Sequence, residues 1–121
     1  MYFEYFDPQW EQRKKKISDH FNNQEGQNYP CSNQIVCCGF VTDDNNKWKK
    51  FINQNKNNIT ILRKREVRFK NGEHWIRIPM SDFVRGRRYY KVKVDNNIDR
   101  KFLEQIILPC CAHYCCSFEW I

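Results

Sequence analysis

Ile59-Thr60-Ile61-Leu62-Arg63-Lys64-Arg65-Glu66-Val67-Arg68-Phe69-Lys70, then Asn71-Gly72, then Glu73-His74-Trp75-Ile76-Arg77-Ile78-Pro79, is the stretch on which the fold turns. Asn-Gly between two alternating runs is a strong hairpin signal, because a two-residue type I′ turn needs φ > 0 at both central positions. Folding the strands about that turn pairs Lys70 with Glu73, Phe69 with His74, Arg68 with Trp75, Val67 with Ile76, Glu66 with Arg77 and Arg65 with Ile78. One face then carries Ile61, Val67, Phe69, Ile76 and Ile78, which can bury. The other carries Lys64, Glu66, Arg68, Lys70, Glu73, Trp75 and Arg77. Opposite charges lie across the ladder at Lys70–Glu73 and Glu66–Arg77, which supports this register. A slip of one residue would exchange the two faces.

Working outward, Arg87-Arg88-Tyr89-Tyr90-Lys91-Val92-Lys93-Val94 alternates again and predicts a half-buried strand with Tyr90, Val92 and Val94 inward. Gln34 to Thr42 is short and apolar on both faces, as a central strand buried on both sides would be. Gly39 within it predicts a bulge, a bend or a close backbone approach. Pro8 can open a helix, and Trp10, Ile17 and Phe21 share one face of a helix over 8–22, with Lys14, Lys15 and Lys16 outward. Asn22 to Pro30 reads as a loop, and Lys47 to Ile52 as a short strand or one helical turn. Asp95-Asn96-Asn97 predicts a cap for a helix striped by Ile98, Phe102 and Ile106, which Pro109 ends or restarts. The apolar tail from Cys110 to Ile121 should pack. The expectation is one α+β domain over 1–121, a small curled antiparallel sheet with a helix near each terminus, for which an OB-like barrel is one closure.

In layout and length, with its early helix, its Val36-Cys37-Cys38-Gly39 strand and its terminal helix, the chain resembles small OB-fold subunits of single-strand-binding complexes. That resemblance implies a role as a subunit of a larger assembly.

The charge is uneven. The chain carries +7, with −3 over residues 1–46, +12 over 47–93 and −2 over 94–121. Clustered basic charge on a sheet points to a polyanion. Cations neutralise phosphates, and exposed rings stack on unpaired bases. The expected interface is Arg63, Lys64, Arg68, Lys70, Arg87, Arg88 and Lys91 for phosphates, with Trp75 and Tyr89 for stacking, and single-stranded nucleic acid as the favoured partner. The competing expectation is a non-enzymatic interaction protein, either a small subunit of a larger assembly or a viral or mobile-element factor that binds a host protein, through the aromatic termini Tyr2, Phe3, Tyr5, Phe6, Phe118, Trp120 and Ile121.

Seven cysteines without an export signal argue against a disulfide framework. Among Cys110, Cys111, His113, Cys115 and Cys116, the pairs Cys110-x-x-His113 and Cys111-x-x-x-Cys115 have workable zinc spacings, with Cys31 or Cys37 to complete a site, but the Cys-x-x-Cys knuckle is missing and the surroundings are apolar. Buried reduced cysteine is the expectation, and no cofactor is. Neither a phosphate-cradling glycine loop nor a marked Cys–His pair or carboxylate cluster occurs, so no enzyme is expected. No apolar run reaches the roughly 18 residues of a membrane helix, and no signal peptide opens the chain, so an intracellular location is expected. Asn58-Ile59-Thr60 is a glycosylation sequon that only secretion would use.

Overall fold

The structure is a computed structural model that describes residues 8–22, 36–80, 89–111 and 117–121. Helix α1 spans Pro8–Asn22, strand β1 Val36–Val41 and helix α2 Asn45–Gln54. A 3-10 turn at Lys56–Asn58 leads into β2 (Ile59–Leu62), β3 (Glu66–Phe69) and β4 (Glu73–Ile78). Strand β5 (Lys91–Val94) precedes a helix in three pieces: α3 (Arg100–Phe102), a π-helical middle (Leu103–Ile107) and α4 (Leu108–Cys111). Strand β6 (Ser117–Trp120) comes last. Asn22, expected to open a loop, is the last residue of α1, while the rest of that loop, 23–30, and the connection carrying Arg87 and Arg88 lie outside the described residues.

The six strands form one open sheet in the order β2-β3-β4-β1-β5-β6. The architecture is α+β, but the sheet is mixed. Strand β1 runs parallel to β4 and β5, β5 runs parallel to β6, and only β2–β3 and β3–β4 are antiparallel. This corrects the expected antiparallel sheet, and the open sheet does not form an OB-like barrel. The reason is β1. It is apolar on both faces and takes the centre, where helices cover it from either side.

Each face of the sheet has its own core. On one, Ile17 and Phe21 of α1 and Leu103, Ile107 and Cys111 of the last helix cover Val41, Ile78, Val92, Val94 and Phe118. On the other, Trp48 and Phe51 of α2 cover Cys38, Phe40, Val67, Phe69 and Trp75. The Phe51 ring lies 4.8 Å from Phe40, 5.0 Å from Trp75 and 5.7 Å from Phe69. Such ring pairs contribute about 0.5–1.5 kcal/mol each beyond their burial. Gly39 is the close approach its position suggested, since a Cβ there would stand 3.2 Å from Ile78 Cδ1 and 3.4 Å from the Tyr89 ring.

Local chemistry sets the helix ends. Asp44 caps α2 by accepting from Asn46 N at 2.8 Å, so Lys47 to Ile52 is helical, with Trp48 and Phe51 inward. The last helix is capped by Asp99, which accepts from Phe102 N at 3.2 Å, and not by Asp95-Asn96-Asn97. Asp95 turns inward instead. Its carboxylate accepts from Thr42 Oγ1 at 2.7 Å, Lys47 Nζ at 2.9 Å and Asn97 N at 2.9 Å. Pro109 stands in the first turn of α4, where α-helical geometry resumes after the π segment, as the restart expectation had it. It has no N–H to return to the preceding turn, and the wider π turn just before it accommodates that loss.

Lys14, expected outward, is buried. Its ammonium donates to Asn96 O at 3.0 Å and Glu11 Oε1 at 3.3 Å, and sits 5.5 Å and 5.4 Å from the rings of Trp10 and Trp120. A lysine inside is tolerated when its ammonium is paired and its stem packs on rings.

Candidate nucleic-acid interface

The central hairpin exists, with two corrections that decide what it can bind. The first is that Ile59 to Lys70 is two strands. Arg63-Lys64-Arg65 forms a turn, closed by a hydrogen bond from Arg63 N to Glu66 O of 2.8 Å, and β2 folds back antiparallel on β3 with Leu62 opposite Val67. The second is register. Glu66 pairs with Ile76, Val67 with Trp75 and Arg68 with His74, one residue away from the expected ladder. The connection is a three-residue loop, Lys70-Asn71-Gly72. Gly72 N donates to Phe69 O at 3.2 Å, Gly72 has φ 93°, and the Asn71 side chain accepts from Glu73 N at 3.0 Å. This is the turn followed by a left-handed glycine that odd-numbered hairpin loops use in place of type I′.

One residue of slip moves every side chain of one strand to the other face. Trp75 therefore joins Val67 and Phe69 beneath α2 and is 3 % exposed. Its indole N–H donates to Glu73 Oε1 at 2.9 Å. His74 goes to the opposite face beside Glu66 and Arg68, with Nδ1 3.8 Å from Glu66 Oε1. Burial, together with the Arg68 charge, pushes the His74 pKa below its ordinary value against the pull of Glu66. The hydrogen bond from Arg68 holds the Glu66 carboxyl low, with the Arg68, Arg63 and His74 charges adding to it against burial.

The expected interface residues consequently scatter. Trp75 and Tyr89 are core residues, and Tyr89 is wholly buried, so neither presents a ring for stacking. Tyr89 lies with Val92 and Val94 while Tyr90 turns to the α2 face, the reverse of the expected phase. The cause is that both precede the β5 ladder: Tyr89 N donates to Cys110 O at 3.0 Å and Tyr90 N to Cys37 O at 2.9 Å. Lys91 sits on the α2 face and donates to Glu73 Oε2 at 2.8 Å. Arg68 donates to Glu66 Oε1 at 3.1 Å. Arg87 and Arg88 lie outside the described residues.

Arg63, Lys64 and Lys70 remain exposed, and two further cations join them, Arg65 in the same turn and Lys56 in the 3-10 turn. Asn58 O accepts from Lys70 N at 2.8 Å, which brings the 3-10 turn beside the β3–β4 turn. The β2–β3 hairpin thus carries Arg63, Lys64 and Arg65 at one end and Lys56 and Lys70 at the other, roughly 13 Å apart for a four-residue strand. The only acid within it, Glu66, lies 3.1 Å from Arg68 and 3.8 Å from Arg63, and leaves Lys56, Lys64, Arg65 and Lys70 without an acid of the hairpin. Arg65 and Lys56 were visible as charges in the sequence, but only the fold shows which cations share an edge.

A second concave region lies between α2 and β5–β6, because α2 covers only the β3–β4–β1 part of its face. It is a pocket of about 390 Å³ walled by Lys47, Lys50, Lys93 and Glu119 over Phe40 and Phe51. Most of its charge is internally neutralised. Lys47 pairs with Asp95, Lys93 with Glu119 and, in the adjoining hollow, Lys91 with Glu73.

Among the described residues no three metal-capable side chains come together. Cys37, Cys38, Cys110 and Cys111 are thiols, and all but Cys37 are buried. Burial raises the Cys38 pKa far above the ordinary thiol range, with Glu73 adding to the effect, so Cys38 is packing and not a nucleophile. Cys31, His113, Cys115 and Cys116 lie outside the described residues, as do Tyr2, Phe3, Tyr5 and Phe6. The other half of the expected aromatic patch is used internally: Phe118 is buried against Phe21, and Trp120 packs on Phe118 and Trp10. No helix among the described residues is long and apolar enough to cross a membrane. No protein-family model matches the chain, and no characterised protein or solved structure matches it either.

Proposed function

We propose that this chain is a non-enzymatic nucleic-acid-binding protein that holds the phosphate backbone through the two basic ends of the β2–β3 hairpin and stacks no bases. The observation that carries the reading is the set of five exposed cations, Lys56, Arg63, Lys64, Arg65 and Lys70, on one edge of the sheet, against a single acid, Glu66, shared by Arg68 and Arg63. Cations placed this way act on phosphate by counterion release, which is independent of sequence and weakens steeply with salt. With Trp75 and Tyr89 inside, the preference for single strands loses its physical basis, and duplex is bound at least as well.

The test is a titration of single- and double-stranded oligonucleotides at ~50 mM salt, where electrostatic attachment is strongest. Arg63→Ala, Lys64→Ala and Arg65→Ala together should weaken binding to every sequence alike and lower the salt slope by roughly three for duplex, about 0.9 for each phosphate that is no longer neutralised. Lys15→Ala with Lys16→Ala, on the far side of the fold, should change little. Absence of binding to any oligonucleotide at that salt would remove this function.

A further inference from the structure

Strand β2 is the terminal strand on its side of the sheet. Arg63 N bonds inward to Glu66 O, so strand alternation turns the N–H and C=O of Leu62 outward. The side chains there are open as well. Ile61 is 38 % and Leu62 56 % exposed, and they are the large exposed hydrophobics among the described residues. The opposite edge is closed. On β6 the Asn22 side chain donates to Phe118 O at 3.0 Å and accepts from Phe118 N at 2.8 Å, which occupies the positions an added strand would take. Among the described residues nothing covers or caps the β2 edge beyond the register shift at Ile59–Ile61, and such an edge is a template for pairing.

We propose that β2 accepts an extended peptide of acidic and apolar residues as an added strand. Backbone bonds to β2 would hold it, apolar side chains would cover Ile61 on one face and Leu62 on the other, and carboxylates would meet Lys56 and Arg63–Arg65 at the strand ends. Charge selects this occupant over a second copy of the chain. In antiparallel pairing of β2 with itself, the Lys56 end of one copy lies against the Arg63–Arg65 end of the other, so like charges face each other at both ends of the contact. Nucleic acid can use the cations but makes no use of the outward amide or the apolar side chains. The inference therefore stands whether or not the hairpin binds nucleic acid.

The probe is a synthetic peptide with a Val-Ile-Val-Ile centre between two runs of glutamate, compared with one of equal charge and a Gly-Ser centre. Calorimetry measures affinity, and amide chemical shifts locate the contact. Leu62→Pro is the decisive variant, because it removes an outward donor that the fold does not use, and edge strands tolerate proline there. The apolar-centred peptide should bind and shift the β2 amides. Affinity should fall at least about tenfold, a change of 1.4 kcal/mol, with the Gly-Ser centre and again with Leu62→Pro. Leu62→Glu, which keeps the backbone and adds a repelling charge, should lower it likewise and serves if the proline variant unfolds. Four results would overturn the inference: no binding, equal binding of both peptides unaffected by either variant, a wild-type dimer that Leu62→Pro dissolves, or loss of oligonucleotide affinity in Leu62→Pro with peptide affinity retained.

Discussion

Trp75 carries the largest consequence of any single residue. An indole under α2 belongs to stability, and an indole on an open face would belong to binding. Trp75→Ala should cost about 3–5 kcal/mol in urea denaturation, as removal of large buried side chains does. Trp75→Phe, which stays folded, should leave oligonucleotide affinity unchanged, whereas a stacking residue would lose affinity. Gly72 is the second such residue. Its φ of 93° is a conformation L-residues avoid, so Gly72→Ala should destabilise the chain by about 1–2 kcal/mol. Asp95 is the third. Burial raises its pKa, but the hydrogen bonds from Asn97, Lys47 and Thr42 and the Lys47 charge outweigh that and hold the carboxyl below its usual range. The folded chain therefore binds fewer protons here than the unfolded one. The stabilisation is full above the ordinary Asp pKa of about 3.9 and disappears as pH falls through the lower folded-state value. Acid unfolding of Asp95→Asn should accordingly show a shallower loss of stability below pH 4 than the parent, alongside lower stability at neutral pH.

At the scale of elements, the two sheet edges are managed differently. Strand β6 is closed by the paired amide bonds of Asn22, so Asn22→Ala should cost about 1–3 kcal/mol and accelerate hydrogen exchange at the Phe118 amide more than at the β1 amides. Strand β2 is guarded by its shortness, by the shift of register between Ile59 and Ile61 and by the charges at its ends. The elements also differ in how far their sequences specified them. Helix α1 was legible to its ends, since Pro8 sets its start and Ile17 and Phe21 its buried stripe. Strand β1 was legible as central because it is apolar on both faces. The break of Ile59–Lys70 into β2 and β3 was not, since Arg63-Lys64-Arg65 contains none of the glycine, proline or asparagine that mark most turns. Helix α2 was ambiguous because Lys47 to Ile52 is shorter than the pattern needed to separate the two periods.

For the whole molecule, what the sequence withheld was strand order. Parallel pairing of β1 with β4 and β5 joins segments far apart in the chain, and local periodicity carries no trace of which distant partner a strand takes. Of the interface, the basic middle of the chain was legible as composition, and Arg63, Lys64 and Lys70 stayed exposed as expected. The rings were lost because Asn-Gly serves both two- and three-residue loops, and the choice between them decides which face Trp75 takes. The central claim is thus the β3–β4 register. It fixes an electrostatic edge in place of a stacking platform, and NMR reads it directly. Arg77 N donates to Arg65 O, so Arg68–His74 and Glu66–Ile76 are the close, non-hydrogen-bonded pairs of this ladder. Strong Hα–Hα nuclear Overhauser contacts between Arg68 and His74 and between Glu66 and Ile76 are the predicted result. The same contacts between Phe69 and His74 and between Val67 and Ile76, the close pairs of a ladder closed by a two-residue turn, would place the indole on the opposite face and contradict the register.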